Sequence, residues 1–454
     1  MRGALVFGLL CSLAAVLLVM RVVWRLGGAG PALLGAIIAS QLAIRSWVNG
    51  MEGPAVLLGV ALVLTALVAA AEVPEPRRFM ILGLACSVLV LARLDFALVV
   101  LVVPFALTWR TRSWRSGGWW TVGAAVIAVP FSTWWLAHWK HLLTVSAVVK
   151  NASVAQAIRE RFGGRTSVAY VHYLAERAED YLSSLRLWSS TDRLTIGSSG
   201  FTRLLAFGLL ALAVLGWFTT ALRSSAVTER HRPRFGPCAW GTLVVFAMLA
   251  LKAIFDLAVA PFWAAGWYSA PQRLAAGFVV GAGAWRGLQW LFRRAAPLAY
   301  VALAAIVLTA VPLNATDWND DAHQRRESTS WLDQIDLASN WIIRHGPEGR
   351  YGANDAGLLG HRLDRVHSVV NLDGLVNDYA VADLVIDNVS RRRRISDTRI
   401  DYFVGRLTQR QLDEQLACGK TLWASPGKIP YSDLLHAYSV GRLYVLDVRA
   451  CRST

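Results

Sequence analysis

Long apolar runs set the strongest limit on how this chain can fold. The eight clearest lie at residues 4–20, 31–44, 54–71, 119–137, 204–222, 239–255, 274–292 and 297–313. A helix of roughly 20 apolar residues crosses the roughly 30 Å hydrocarbon core of a bilayer. The runs do not alternate apolar and polar residues as the strands of a membrane β-barrel do. The sequence therefore predicts a mainly α-helical, polytopic membrane protein with the lipid bilayer as a partner.

Two shorter apolar runs, 79–92 and 96–109, are separated only by Arg93, Leu94 and Asp95. This spacing predicts a tight pair of helices, which brings the expected number of crossings to about ten. Composition agrees, because 55% of the 454 residues are hydrophobic and only 17% are charged. A soluble domain of this length would expose far more charge.

The arginines between the runs predict which side of the membrane each connection faces. Short cytoplasmic connections are rich in Lys and Arg. One set of alternate connections holds Arg21, Arg25, Arg77, Arg78, Arg110, Arg112, Arg115, Arg223, Arg230, Arg232, Arg234, Arg286, Arg293 and Arg294. The opposite set of short connections holds only Arg45, Arg93, Lys252 and Arg273. We therefore assign the arginine-rich set to the cytoplasm.

This assignment places several polar segments outside. They are the loop with Glu52, the turn of Arg93 and Asp95, the segment of about 138–200, the loop 266–273 and the C-terminal tail. It also places Met1 outside, almost directly before the first run. We expect either that a preceding segment is missing from this sequence or that the first helix inserts as a reverse anchor.

The net charge of +16 comes almost wholly from arginine, since the chain has only five lysines. We interpret this charge as cytoplasmic topology charge with attraction to anionic lipid. Binding to nucleic acid would need a soluble basic face, so no nucleic-acid partner is expected.

The chain changes character near residue 317, where charged residues become frequent. We therefore predict a membrane domain at 1–316 and a small external α/β domain at 317–454. Residues 333–346 have helical spacing, with Leu337, Trp341 and Ile342 on one side. The other elements predicted in the tail are strands within 366–378, 399–405 and 441–449 and helices at 380–389 and 407–419.

The cysteines divide by location. Cys11, Cys86 and Cys238 lie in or beside apolar runs, where cysteine packs as a small apolar residue. Cys418 and Cys451 lie in the tail, and an oxidising outer compartment permits a disulfide between them. No spacing indicates a zinc or haem site, so neither a metal nor another cofactor is expected.

The tail carries motifs that resemble a known family. The stretch YGANDAGLLGHRLDRVHSVVNLDGLVND, followed by RIDYFV, is similar to the external domain of bacterial GT-C superfamily glycosyltransferases. The similarity is to the arabinofuranosyltransferase-like and flagellar-motor-control-like transmembrane proteins. The matching residues are Asp355, Ala356, Gly357, Leu372, Asp373, Gly374, Leu375, Val376, Asn377, Ile400, Asp401 and Tyr402.

Three motifs of the membrane half resemble the same group. GME, ending at Glu52, is similar to a Gly-Leu-Glu external turn, and ARLD, ending at Asp95, to an Ala-Arg-Pro-Asp turn. HLLTVSAVVK, ending at Lys150, is similar to a segment that closes on a lysine. Each motif is short, but together they occur in the expected order over most of the chain.

The resemblance implies transfer of a sugar from a polyprenyl-phosphate donor to an envelope polysaccharide or glycolipid acceptor outside the cytoplasmic membrane. In that family the catalytic carboxylate usually follows the first transmembrane helix, often as an acidic pair. This sequence shows no such helix and loop. The alternative is a non-catalytic or truncated GT-C-like protein that binds carbohydrate or assists envelope assembly.

The candidate site residues follow from the chemistry of such a transfer. A carboxylate must take the proton of the acceptor hydroxyl, for which Glu52 and Asp95 are the catalytic candidates. Arg93, Lys150 and Arg273 are candidates to bind the carrier phosphate, and Tyr268 to stack on a sugar or isoprenoid.

Four of these residues also have a purely structural interpretation. Glu52 would cap the next helix or pair with Arg45. Arg93 and Asp95 would neutralise each other within the turn, and Tyr268 would belong to an aromatic belt at the membrane surface.

Overall fold

The computed structural model describes residues 2–47, 53–140, 168, 171, 213–216, 236–259, 270–295, 297–305, 331–353, 357–363, 366–372, 391–407, 409–415, 418–426, 429–432 and 438–452. These residues are mainly helical and include one small sheet. The chain divides into two compact units. The first comprises Met1–Lys140 with Tyr170–Asn314, and the second His141–Ala169 with Ala315–Thr454.

The described part of the first unit includes eight helices of ten or more residues. They are α1 (Arg2–Gly27), α2 (Ala29–Trp47), α3 (Gly53–Glu72), α4 (Pro76–Ala92), α5 (Val102–Thr111), α6 (Trp114–Trp139), α7 (Pro237–Val259) and α8 (Ala270–Leu291). Two 3₁₀ turns, Leu94–Phe96 and Val99–Leu101, join α4 to α5. The tight helical pair predicted around Arg93 is therefore present, and its second member begins with 3₁₀ turns.

Five described helical segments are long and apolar enough to cross a membrane: Val6–Gly27, Gly53–Glu72, Leu94–Thr111, Trp114–His138 and Pro237–Asp256. By length and composition they indicate a membrane protein. The described residues do not establish ten crossings. In α2 only the shorter stretch Ala29–Ser40 is strongly apolar, and α4 has 17 residues. Most of the predicted runs 204–222 and 297–313 lies outside the described residues.

Helices α2 and α8 contact each other through small residues. A Cβ atom added at Gly281 would lie 2.4 Å from Gly35 Cα, and one added at Gly277 would lie 2.4 Å from Ala39 Cα. The two backbones therefore touch along a stripe of residues spaced four apart. Membrane helices associate through such small-residue stripes because dispersion contacts replace the hydrophobic effect.

The second unit contains a mixed six-stranded sheet. Its strands are β1 (Arg350–Ala353), β2 (Ser368–Asn371), β3 (Tyr402–Leu407), β4 (Lys420–Ala424), β5 (Ile429–Ser432) and β6 (Tyr438–Asp447). The order is β2-β1-β3-β6-β4, and β5 also pairs with β6. β1 runs parallel to β2 and β3, whereas β6 runs antiparallel to β3, β4 and β5. The strands predicted within 366–378, 399–405 and 441–449 are present.

Alternation along the strands gives this sheet two buried faces. In β3, Tyr402 and Val404 belong to one hydrophobic core, and Phe403 and Leu407 belong to the other. Helices α9 (Trp331–His345) and α10 (Gly357–Leu363) contribute to the first core, and α11 (Arg391–Thr398) contributes to the second. A further helix, α12, spans Gln409–Gln415 within the predicted 407–419. The helix predicted at 380–389 lies outside the described residues.

The core-facing side of α9 agrees with the prediction for Trp341 and Ile342, which pack in or against the first core, but not for Leu337. Ile335, Ala338 and Ile342 are buried against the sheet, whereas 44% of Leu337 is exposed. Leu337 and Ile342 do not share one buried face, because the sheet contacts the stripe formed by Ile335, Ala338 and Ile342. The predicted disulfide is present: Cys418 is bonded to Cys451, while Cys11, Cys86 and Cys238 are free.

Candidate functional site

The turn between α4 and the first 3₁₀ turn carries the first half of a charged cluster. Arg93 ends α4 in an extended conformation, and its backbone N–H donates to the Leu89 carbonyl. Its side chain reaches back over the turn to Asp95. Arg93 Nη2 lies 2.5 Å from Asp95 Oδ2, and Arg93 Nε lies 3.1 Å from Asp95 Oδ1. This two-pronged, charge-assisted geometry fixes both side chains.

Helix α7 supplies the second half of the cluster. Lys252 and Asp256 are four residues apart, so they lie on the same side of the helix. Lys252 Nζ lies 3.1 Å from Asp95 Oδ2 and also donates to Asp256 Oδ1. The ammonium group lies 5.3 Å from the centroid of the Phe96 ring, within cation–π range. Arg93, Asp95, Lys252 and Asp256 therefore form one continuous cluster, which we call the charge cluster.

Burial increases from one side of the charge cluster to the other. The exposed fraction of the side chain is 22% for Asp95, 8% for Arg93, and 1% for both Lys252 and Asp256. The two cations and two carboxylates balance in formal charge, which offsets the desolvation cost that an unpaired ion would carry here. Asp256 Oδ2 is buried and has no hydrogen-bond partner among the described residues.

Contacts at the other end of the same helices fix where the charge cluster lies. The Arg110 guanidinium, near the end of α5, lies 5.5 Å from the centroid of the Trp240 ring, near the start of α7. The segment from Asp95 to Arg110 therefore runs antiparallel to α7. The Asp95 end of the segment contacts Lys252, and the Arg110 end contacts Trp240. The charge cluster lies at one end of the helices, and Arg110 lies at the opposite end.

A second ion pair joins helix ends elsewhere in this unit. Arg25 Nη1, at the end of α1, donates to Glu72 Oε1, at the end of α3, over 2.7 Å. Both side chains are more than one third exposed. Surface pairs of this kind contribute about 0–1 kcal/mol, so this contact differs from the buried charge cluster in both setting and energy.

The structure brings together two of the six residues that the sequence nominates. Arg93 and Asp95 meet in the charge cluster, as an ion pair within the turn. Arg273 is the fourth residue of α8, and 2% of its surface is exposed. Its neighbours Ala270 and Leu274 belong to the same hydrophobic core as Phe96. Glu52, Lys150 and Tyr268 lie outside the described residues, so their roles stay predictions.

Sequence reasoning missed two members of the charge cluster. It assigned Lys252 to a short connection, but Lys252 lies within α7, as Arg45 lies within α2 and Arg273 within α8. It did not consider Asp256 at all. The signal was present, because a Lys and an Asp four residues apart in an apolar helix predict an intrahelical ion pair on a buried face.

The described residues bring two cations to one carboxylate. Among them there is no group of three or more His, Cys, Asp and Glu side chains that could hold a metal. Arg93 and Lys252 instead present a guanidinium and an ammonium to the same carboxylate oxygen. A phosphate oxygen carries the same charge and accepts the same hydrogen bonds, so it can compete with Asp95 for Arg93.

Comparison of the sequence with models of known protein families gives no match, and comparison with curated proteins gives none either.

Proposed function

We propose that this chain is a GT-C-like membrane glycosyltransferase that moves a sugar from a polyprenyl phosphate to a cell-envelope glycan or glycolipid. The observation that carries the proposal is the charge cluster, because two cations lie buried at one end of apolar, membrane-length helices. A lipid-linked donor presents its phosphate at that depth, where the hydrocarbon meets the headgroups. The order of the GME, ARLD and tail motifs supports the same family.

The proposal places the charge cluster and the second unit on the external side of the cytoplasmic membrane, with about ten crossings in total. The Arg110 end of the helices lies among the arginine-rich connections, which favours the cytoplasm for that end. The bond between Cys418 and Cys451 supports the same orientation, since structural disulfides persist in oxidising compartments.

The reaction is a single displacement at the anomeric carbon of the donor sugar. The acceptor oxygen forms the new glycosidic bond while the bond from carbon to phosphate oxygen breaks. The electron pair of the broken bond stays on the polyprenyl phosphate, and the acceptor proton passes to a carboxylate. This geometry inverts the configuration of the sugar.

The roles of the two candidate carboxylates differ. Both oxygens of Asp95 accept hydrogen bonds from cations, and a carboxylate held in this way is a weak base. We assign the proton-accepting role to Glu52, and to Asp95 the task of holding Arg93 until the donor phosphate binds. Arg93, Lys150 and Arg273 are the proposed contacts of the leaving phosphate, and Tyr268 is the proposed stacking residue for the sugar or isoprenoid.

A transfer assay in isolated membranes tests the proposal. Membranes with the full chain are supplied with a panel of radiolabelled polyprenyl-phosphate sugars, and Glu52→Gln is compared with Glu72→Gln. The control is matched because Glu52 directly precedes α3 and Glu72 ends it. We expect transfer by the wild type and Glu72→Gln and a loss of about 100-fold or more in Glu52→Gln, the usual scale for removing a general base.

One observation favours the non-catalytic alternative. The charge cluster is internally neutral, which is also what a purely structural clamp between α7 and the turn after α4 requires. A folded wild-type chain that transfers none of the sugars supplied, while still binding envelope glycan, would support a carbohydrate-binding or assembly role instead.

A further inference from the structure

A single carboxylate oxygen in the charge cluster is shared by two cations. Asp95 Oδ2 lies 2.5 Å from Arg93 Nη2 and 3.1 Å from Lys252 Nζ. If either cation moves away, the other remains in an ion pair with this oxygen. Such redundancy matters at low dielectric, where an unpaired carboxylate carries a large desolvation penalty.

The two cations differ in burial and in position. Lys252 lies within α7, is 1% exposed, and is fixed by Asp256 from the next turn and by the Phe96 ring. Arg93 lies outside a helix, in the turn at the end of the bundle, and is more exposed. An anion that approaches this end therefore reaches the guanidinium of Arg93 before the ammonium of Lys252.

We propose that Lys252, anchored by Asp256, is a positioning residue of an anion site: it keeps Asp95 in an ion pair while Arg93 turns from Asp95 to a phosphate group. Asp256 serves this role by holding the ammonium within reach of Asp95. The identification of the anion as the phosphate of a polyprenyl lipid rests on the proposed function. The exchange of Arg93 between Asp95 and a phosphate rests on two observations. Both cations share Asp95 Oδ2, and Arg93 is less buried than Lys252.

This exchange gives a role to the second cation of the charge cluster. With Lys252 absent, transfer of Arg93 to a phosphate would leave the partly buried Asp95 without a cation. Arg93 would then stay on Asp95, and the phosphate would bind weakly. Lys252 acts through Asp95 and Arg93 and need not touch the ligand.

The test uses the purified full chain with two probes, farnesyl phosphate and farnesol, which share an isoprenoid and differ in the phosphate. The variant Lys252→Met/Asp256→Asn removes one positive and one negative charge, so the charge balance of the cluster is kept. The matched control, Arg25→Met/Glu72→Gln, removes the exposed ion pair at other helix ends. Binding is measured by equilibrium titration and folding by the thermal midpoint.

We expect the wild type and the control to bind farnesyl phosphate more tightly than farnesol. Both Arg93→Gln and Lys252→Met/Asp256→Asn should raise the Kd for farnesyl phosphate by about tenfold or more, a free-energy loss of about 1.4 kcal/mol, with little change for farnesol. A folded Lys252→Met/Asp256→Asn protein with wild-type affinity would overturn the positioning role of Lys252 and leave the proposed function in place. A wild-type protein that binds farnesyl phosphate and farnesol with equal affinity would overturn both the positioning role of Lys252 and the proposed function.

Two single variants keep the inference testable if the double variant does not fold. Lys252→Arg retains the charge and should keep the Kd within about threefold of wild type, which corresponds to well under 1.4 kcal/mol. Asp95→Asn releases Arg93 from its carboxylate and should tighten farnesyl phosphate binding. Weaker binding in Asp95→Asn would contradict the exchange, because it would mean that Asp95 supports the anion rather than competing with it.

Discussion

Lys252 Nζ lies 3.1 Å from Asp95 Oδ2 and joins helix α7 to the turn that follows α4. The two residues are far apart in the sequence, and both lie within apolar surroundings. Their contact closes a neutral cluster with Arg93 and Asp256. An apolar pair of similar size would hold the same helices together without the cost of desolvating ions. The presence of charge at this position therefore favours a role in binding or chemistry.

Removing only one partner of the charge cluster should destabilise the membrane unit. Lys252→Met leaves Asp256 buried without its cation, and the expected loss of stability is about 3–5 kcal/mol. Lys252→Met/Asp256→Asn should recover most of that loss because it removes both charges. Thermal unfolding in detergent measures the difference. Equal stability of the single and double variants would show that Asp256 does not depend on Lys252.

The contact between α2 and α8 should tolerate no added methyl group at Gly281. A Cβ atom there would meet the Gly35 backbone, so Gly281→Ala should cost about 1–3 kcal/mol through overpacking. The matched control is Gly118→Ala in α6, because a Cβ atom at Gly118 meets nothing within 4 Å. Gly118→Ala should be neutral or slightly stabilising, since alanine has the higher helix propensity. A similar thermal midpoint for both variants would contradict the close approach of α2 and α8.

The disulfide should stabilise the second unit. Cys418 and Cys451 are 33 residues apart in sequence, and a loop of this size typically gives about 2–4 kcal/mol. Cys418→Ala/Cys451→Ala should therefore increase proteolysis within this unit of the full chain, and reductant should have the same effect on the wild type. Cys238→Ala, which removes a free cysteine, is the control. Peptide mapping without reductant that recovers Cys418 and Cys451 unbonded would contradict the structure.

His367 should make the second unit sensitive to mild acid. The imidazole is 8% exposed and its ring centroid lies 5.0 Å from that of Tyr351. Burial lowers the pKa of His367, although the carboxylate of Glu348 opposes this effect. Because the folded-state pKa lies below the unfolded value of about 6.5, the stabilising contribution is complete above that pH. It is lost as the pH falls through the folded-state pKa.

Proteolysis of the full chain between about pH 8 and pH 5 measures this dependence. We expect His367→Gln to reduce the acid sensitivity of the second unit, and His361→Gln, at an exposed position, to leave it unchanged. A pH profile of His367→Gln that coincides with the wild type would rule out His367 as the titrating group.

Local features of this molecule were predictable from the sequence, whereas contacts between distant elements were not. The Arg93 and Asp95 pair lies within one short turn, and three of the six strands of the second unit, β2, β3 and β6, were predicted from short apolar segments. The partner of Asp95 depends on which face of α7 meets the turn, and apolar runs do not specify this. The prediction for Leu337 in α9 was wrong for the same reason: Leu337 and Ile335 belong to overlapping apolar stripes, and contact with the sheet selects the stripe of Ile335.

Labelling from outside the cell tests most directly whether the charge cluster lies on the external side of the membrane. Single cysteines at Leu94, beside the cluster, and at Arg112, beyond α5, are exposed positions at opposite ends of one helical segment. A membrane-impermeant maleimide added to intact cells should label Leu94→Cys above the background of the parent chain and should label Arg112→Cys only after the membrane is opened. Labelling of Arg112→Cys in intact cells with protection of Leu94→Cys would place the cluster on the cytoplasmic side and contradict transfer on the external face.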